Sequence, residues 1–168
     1  IVLDLMDTVS IEQGRLALSL VPSDLRALLH SVEKDFSSHP SPGNNQLVLM
    51  IQPNLPEIST DPERLIQVIT NLISNAERHT RNGTITISLT GEPGWQTICV
   101  SDTGTGMSEE MRKNALKGYV SADKDYWRHG IGLYVCHQII TAHGGKIWLK
   151  SKEGEGTQVF FSLPEEES

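Results

Sequence analysis

The sequence predicts an α/β two-layer sandwich, a mixed and mostly antiparallel sheet with its helices on one face. Three observations predict it. Asp61-Pro62 announces a long amphipathic helix, with aspartate as N-cap and proline at the first helical position. Two pairs of alternating segments, 84–90 with 95–101 and 146–151 with 157–163, are joined by short Gly-containing turns, so each pair must run antiparallel. A further helix lies between these hairpins, which gives the order helix, hairpin, helix, hairpin rather than the regular alternation of a doubly wound parallel sheet. With 168 residues, 38 % of them hydrophobic, the chain can bury one such core.

The remaining elements follow in order. Val2, Leu5, Met6 and Val9 have helical spacing, and Gly14 ends that segment. Residues 16–20 alternate and read as a strand. Pro22 and Ser23 start a helix with Ser23 as N-cap and Leu25, Leu28, Leu29, Val32 and Phe36 as its apolar face. Residues 39–45 form a loop, 47–52 a strand and 53–56 a turn-rich linker. The helix after Asp61 runs to His79, and Asn82-Gly83 turns the chain into the first hairpin. A short helix starts at Ser108, residues 116–129 are polar and irregular, and a helix from Gly130 to His143 is stopped by Gly144-Gly145. Residues 165–168 form a frayed acidic tail.

Composition narrows the function. Lys and Arg total 14 against 21 Asp and Glu, a net charge of −7, which argues against a general binder of nucleic acid. An anionic ligand must then be met by local devices: backbone N–H groups, helix N-termini or a metal ion. The longest apolar run, residues 47–51, is far short of the roughly 20 residues of a membrane span, and no signal-peptide pattern opens the chain. The sequence starts at Ile1 without methionine and reads as part of a longer protein. Cys99 and Cys136 are isolated in apolar stretches and read as reduced core thiols of a cytoplasmic domain.

Three segments carry chemistry. On the helix after Asp61, Leu65, Ile69, Leu72, Ile73 and Ala76 share one face. At about 100° per residue, Arg64, Asn71, Asn75 and Arg78 fall on nearly the opposite arc, with the two amides one turn apart. Taken alone, that arc reads as a solvated surface. Asp102-Thr103-Gly104-Thr105-Gly106-Met107 follows a β-branched strand; its carboxylate can accept from an exocyclic amine, and its glycines let backbone approach a flat ring. Gly130-Ile131-Gly132-Leu133 opens a helix and offers N–H groups and the positive dipole end to an anion. It is neither a Rossmann nor a P-loop signature.

In this order the segments resemble the N, G1 and G2 boxes of the GHKL nucleotide-binding family, and most closely those of the catalytic ATP-binding domain of a sensor histidine kinase. The resemblance covers residues 16–163. It implies that residues 1–14 are the end of a dimerisation helix, that 15–164 are the catalytic domain and that 165–168 are a tail. It implies that ATP and Mg²⁺ are bound, with Asn75 holding the ion and Asn71 lining the phosphate end. Arg78 would reach toward phosphate and His79 would lie beside the nucleotide. Asp102 would accept from the adenine amino group, Gly104 and Gly106 would keep the base pocket open, and Thr157 would stand near the adenine. Gly130, Ile131, Gly132 and Leu133 would meet the phosphates, and Tyr119 would serve the aromatic F box, where Leu116 departs from the usual phenylalanine. Asn71 is the position on which the catalytic class turns: hydrolysing members carry a water-activating Glu there, so asparagine favours a kinase. None of the six histidines precedes Asp or Glu, as the family's phosphoacceptor does, so the acceptor would lie outside this chain. Implied partners are ATP or ADP, a response-regulator receiver domain and the parent's own dimerisation domain in a homodimer, the parent being cytoplasmic or anchored by an upstream segment. The rival readings are a GHKL ATPase and a non-catalytic nucleotide sensor.

Overall fold

A computed structural model describes residues 16–115 and 124–165, with backbone alone over 124–132. The elements are β1 (Val21–Ser23), α1 (Leu25–Ser37), β2 (Gln46–Ile51), β3 (Ile58–Thr60), α2 (Pro62–His79), β4 (Thr84–Glu92), β5 (Trp95–Asp102), α3 (Glu109–Asn114), α4 (Lys124–Ala142), β6 (Lys146–Lys152) and β7 (Gly156–Pro164). Five strands form one sheet in the order β2-β4-β5-β7-β6. β2 pairs parallel with β4 and every other pairing in it is antiparallel. This is the predicted sandwich.

Strand alternation explains the core. Ile85, Ile87 and Leu89 of β4, Ile98 and Val100 of β5, and Val159, Phe161 and Leu163 of β7 are buried in one cluster. Leu65, Val68, Ile69 and Leu72 of α2 and Val135, Cys136, Ile139 and Ile140 of α4 complete it. Both thiols are free and buried, as expected, and burial pushes Cys99 up to about 11 and Cys136 up to about 12. Asp61 caps α2 through the Arg64 N–H, with Pro62 next in line.

Four expectations need correction. The strand expected at 16–20 lies instead at Val21–Ser23, where it pairs with β3. The Ser19 N–H is drawn off to the Asp61 carboxylate, 3.0 Å away, which takes that residue out of any ladder. Ser23 does not cap α1, because its hydroxyl donates to the Val21 carbonyl and accepts from Thr60; Asp24 caps it by accepting from Arg26 and Ala27. β3 falls within what sequence alone left between a linker and a helix. Finally, α4 begins at Lys124, so Gly130 and Gly132 lie inside the helix and not at its first turn. Helix propensity penalises glycine by about 1 kcal/mol, a weak prior that does not by itself end a helix. Residues 1–14, Tyr119 and residues 166–168 lie outside the described part, as does the side chain of Ile131.

One polar link ties the far ends of the two long helices together. His143 follows α4; its Nδ1–H donates to the Ile139 carbonyl at 2.8 Å, and its Nε2 accepts from the Asp61 N–H at 3.1 Å. Both partners require the neutral ring. Burial lowers the His143 pKa from its ordinary 6.5, against the pull of the Ile139 carbonyl and Asp61. The unfolded chain therefore takes up the proton first as pH falls. The contribution of this link is full above about 6.5 and declines as pH drops below it toward the folded value. Urea unfolding across that range should show stability falling with acid. His143→Gln should flatten this slope, and an unaltered slope in the variant would exclude His143 as its source.

Candidate active site

Between α2 and the sheet lies a cleft of about 310 Å³, counting its open mouth. Leu72, Asn75, Ala76 and His79 line it from α2, Val100 and Asp102 from β5, Met107 from the following loop, Leu133 from α4, and Thr157 and Val159 from β7. The lining is mostly apolar, with polar groups at a few points, as a flat heteroaromatic ring with a polar edge requires.

Asp102 is placed by the end of β5 and held by backbone. Its Oδ1 accepts from the Gly104 N–H at 2.9 Å and the Thr157 N–H at 3.3 Å. Burial raises this carboxyl above its ordinary 3.8, opposed by those two N–H groups, by His79 and by the Thr80 hydroxyl. Gly104 passes so close to α2 that a Cβ would stand 2.3 Å from the His79 carbonyl oxygen, and Gly106 adopts φ +71°, with a Cβ position 2.1 Å from the Lys152 carbonyl oxygen. Side chains at these positions would push the loop into the cleft or away from it, which is the physical reason for two glycines here.

Asn75 is half-buried, and its Nδ2 is buried with no hydrogen-bond partner among the described residues. A buried amide that the fold does not use is available to a ligand. Its oxygen and nitrogen exchange places by a half-turn of the amide, so either can face the cleft. A neutral oxygen donor suits Mg²⁺, which keeps several waters and is shared with substrate phosphates rather than caged by protein. Among the described residues no cluster of three or more His, Cys, Asp or Glu could hold a metal ion.

The other site residues divide. His79, Asp102, Leu133 and Thr157 line the cleft, and the Gly104–Gly106 loop borders it. Arg78 is exposed in the last turn of α2 and does not line the cleft. Asn71 corrects the helical-wheel reading. It is buried, not solvated, and its Nδ2 donates to Cys136 Sγ at 3.9 Å, across the α2–α4 interface. The wheel assigns α2 one buried face, whereas the sheet and α4 cover it from two sides. Gly130 and Gly132, inside α4, do not present free N–H groups in this arrangement. Sequence reasoning missed Leu72, Ala76, Val100, Met107 and Val159 as cleft-lining residues; their signal was the apolar face of α2, strand alternation toward the helices and, for Met107, its place directly after Gly106.

Comparison with known proteins agrees with this geometry. The family described as histidine kinase-, DNA gyrase B-, and HSP90-like ATPase matches residues 60–167. The chain therefore belongs to that family. Its relatives include sensor histidine kinases. The adaptive-response sensory kinase SasA of Synechococcus elongatus is 38 % identical over 71 % of this chain and 32 % of its own length. The sensor protein GacS of Pseudomonas syringae pv. syringae is 33 % identical over 97 % of this chain and 19 % of its own. This chain thus spans about a third of one and a fifth of the other. Among solved structures, full-length ShkA in complex with AMPPNP has a TM-score of 0.79 at 26 % identity, covering 94 % of this chain and 34 % of that one. The catalytic domain of histidine kinase ThkA has a TM-score of 0.75 at 25 % identity, covering 88 % and 97 %.

Proposed function

We propose that this chain binds Mg·ATP in the cleft and, within its parent protein, transfers the γ-phosphoryl group to a histidine on a helix outside the chain, for relay to a response-regulator receiver domain. One observation carries the reading: Asn75, whose Nδ2 has no partner among the described residues, and the backbone-held Asp102 carboxylate line a single cleft. Asp102 receives the exocyclic amine of the base, the apolar walls hold its ring, and Asn75 stands toward the phosphates. Bound Mg²⁺ would neutralise phosphate charge and orient the transferred group. The chain supplies positioning, which together with charge neutralisation accounts for most of the catalysis in phosphoryl transfer.

Asn71 bears on the choice between transfer and hydrolysis. It offers no carboxylate to activate water, and its amide is engaged with Cys136. Phosphate contact by the Gly130 and Gly132 N–H groups requires the first turns of α4 to unwind on binding. A similar fold in ThkA is seen in complex with the response regulator TrrA, which supports a receiver domain as partner here. The parent protein incubated with γ-labelled ATP should become labelled on histidine, with acid-labile and base-stable chemistry. Label appearing only as free phosphate would favour the ATPase reading instead.

A further inference from the structure

Ser151 of β6 sits beside Thr157 of β7 as its register partner. Three contacts converge on its hydroxyl. The Met107 N–H donates to Ser151 Oγ at 2.7 Å, Ser151 Oγ lies 3.1 Å from the Gly156 carbonyl, and it lies 2.8 Å from Thr157 Oγ1. A serine hydroxyl has one proton and two lone pairs. The Met107 amide can only donate, so it occupies one lone pair. The Gly156 carbonyl can only accept, so it takes the proton. The group left facing Thr157 is the second lone pair, and the 2.8 Å contact is therefore Thr157 donating to Ser151. With its proton spent, Thr157 has only lone pairs to turn toward the cleft that it lines. Asp102, whose Oδ1 is bonded to the Thr157 N–H, is an acceptor beside it.

We propose that Ser151 is a positioning residue for base selectivity: by consuming the Thr157 proton it commits that wall of the cleft to acceptors, which take an exocyclic amino group and repel a ring carbonyl. This rests on the reading of the cleft as a purine-nucleotide site. Without Ser151, the Thr157 hydroxyl rotates freely and donates to a carbonyl as readily as it accepts from an amine. The cost of facing two acceptors with a third is the source of discrimination, because a buried polar group left unpaired is penalised more than a made bond is rewarded.

The test compares ATP with inosine triphosphate, which carries a carbonyl where ATP carries the amino group. Calorimetry with Mg²⁺ on the unaltered chain should show a preference for ATP. Ser151→Ala should erode that preference by about five- to tenfold, chiefly by tighter binding of inosine triphosphate. Ser151→Thr, which keeps the hydroxyl, should retain it. In a Thr157→Val background, Ser151→Ala should change the ratio no further. Equal weakening of both nucleotides by Ser151→Ala, or an unchanged ratio, would overturn the proposal and leave the nucleotide reading standing. Failure of the unaltered chain to bind ATP would overturn both. Unfolding temperatures of each variant show whether a lost affinity reflects a lost fold.

Discussion

Asp102→Asn is expected to lower affinity for ATP and for ADP by about ten- to a hundredfold, the worth of a hydrogen bond to a charged group, with or without Mg²⁺. The carboxylate has its Oδ1 bound by the Gly104 and Thr157 N–H groups, and in the proposed function its other oxygen accepts from the base amine. An asparagine can still place an oxygen against those two N–H groups, but it then turns an NH₂ toward the ligand's NH₂. Donor meets donor and both are left unpaired. The fold should tolerate the change, since the charge it removes is one that burial already disfavours. Isothermal calorimetry with both nucleotides, beside a thermal melt, checks this. Undiminished affinity in a folded variant would remove Asp102 from base recognition.

Asn75→Ala should act on the other end of the ligand. The gain in ATP affinity on adding Mg²⁺ should vanish, and phosphohistidine formation by the parent should fall by about a hundredfold or more, as loss of a charge-neutralising metal contact implies. Adenosine, which has no phosphates, should bind as before. Little stability should be lost, because the buried Nδ2 of Asn75 makes no hydrogen bond among the described residues. The two variants thus separate base recognition from metal dependence: one is indifferent to Mg²⁺ and the other is defined by it.

Much of this was legible because the signals were local. Asp61-Pro62 states a helix start in two residues, and the turns at Pro93-Gly94 and around Gly154 leave antiparallel hairpins as the only outcome. The D-x-G-x-G segment declared both an acceptor and a loop that must pass close to its neighbours, and its glycines prove to be where a Cβ would collide. What failed depended on tertiary context. Asn71 looked solvent-facing because a helical wheel knows nothing of a second helix, and α4 covers that arc. α4 starts at Lys124 because the roughly 1 kcal/mol that a glycine costs is too weak a signal to set a helix end by itself. β3 has three residues and exists only through its pairing with β1. Ser151 carries no motif; its importance lies in three contacts around one hydroxyl.

The most direct measurement titrates ATP into the chain by calorimetry, once with Mg²⁺ and once with a chelator. The cleft formed by Asn75, Asp102 and Thr157 predicts saturable one-to-one binding that tightens with the metal, with Asp102→Asn weakening both titrations and Asn75→Ala making them coincide. A folded chain that takes up no ATP under either condition, or whose binding ignores both substitutions, would contradict it.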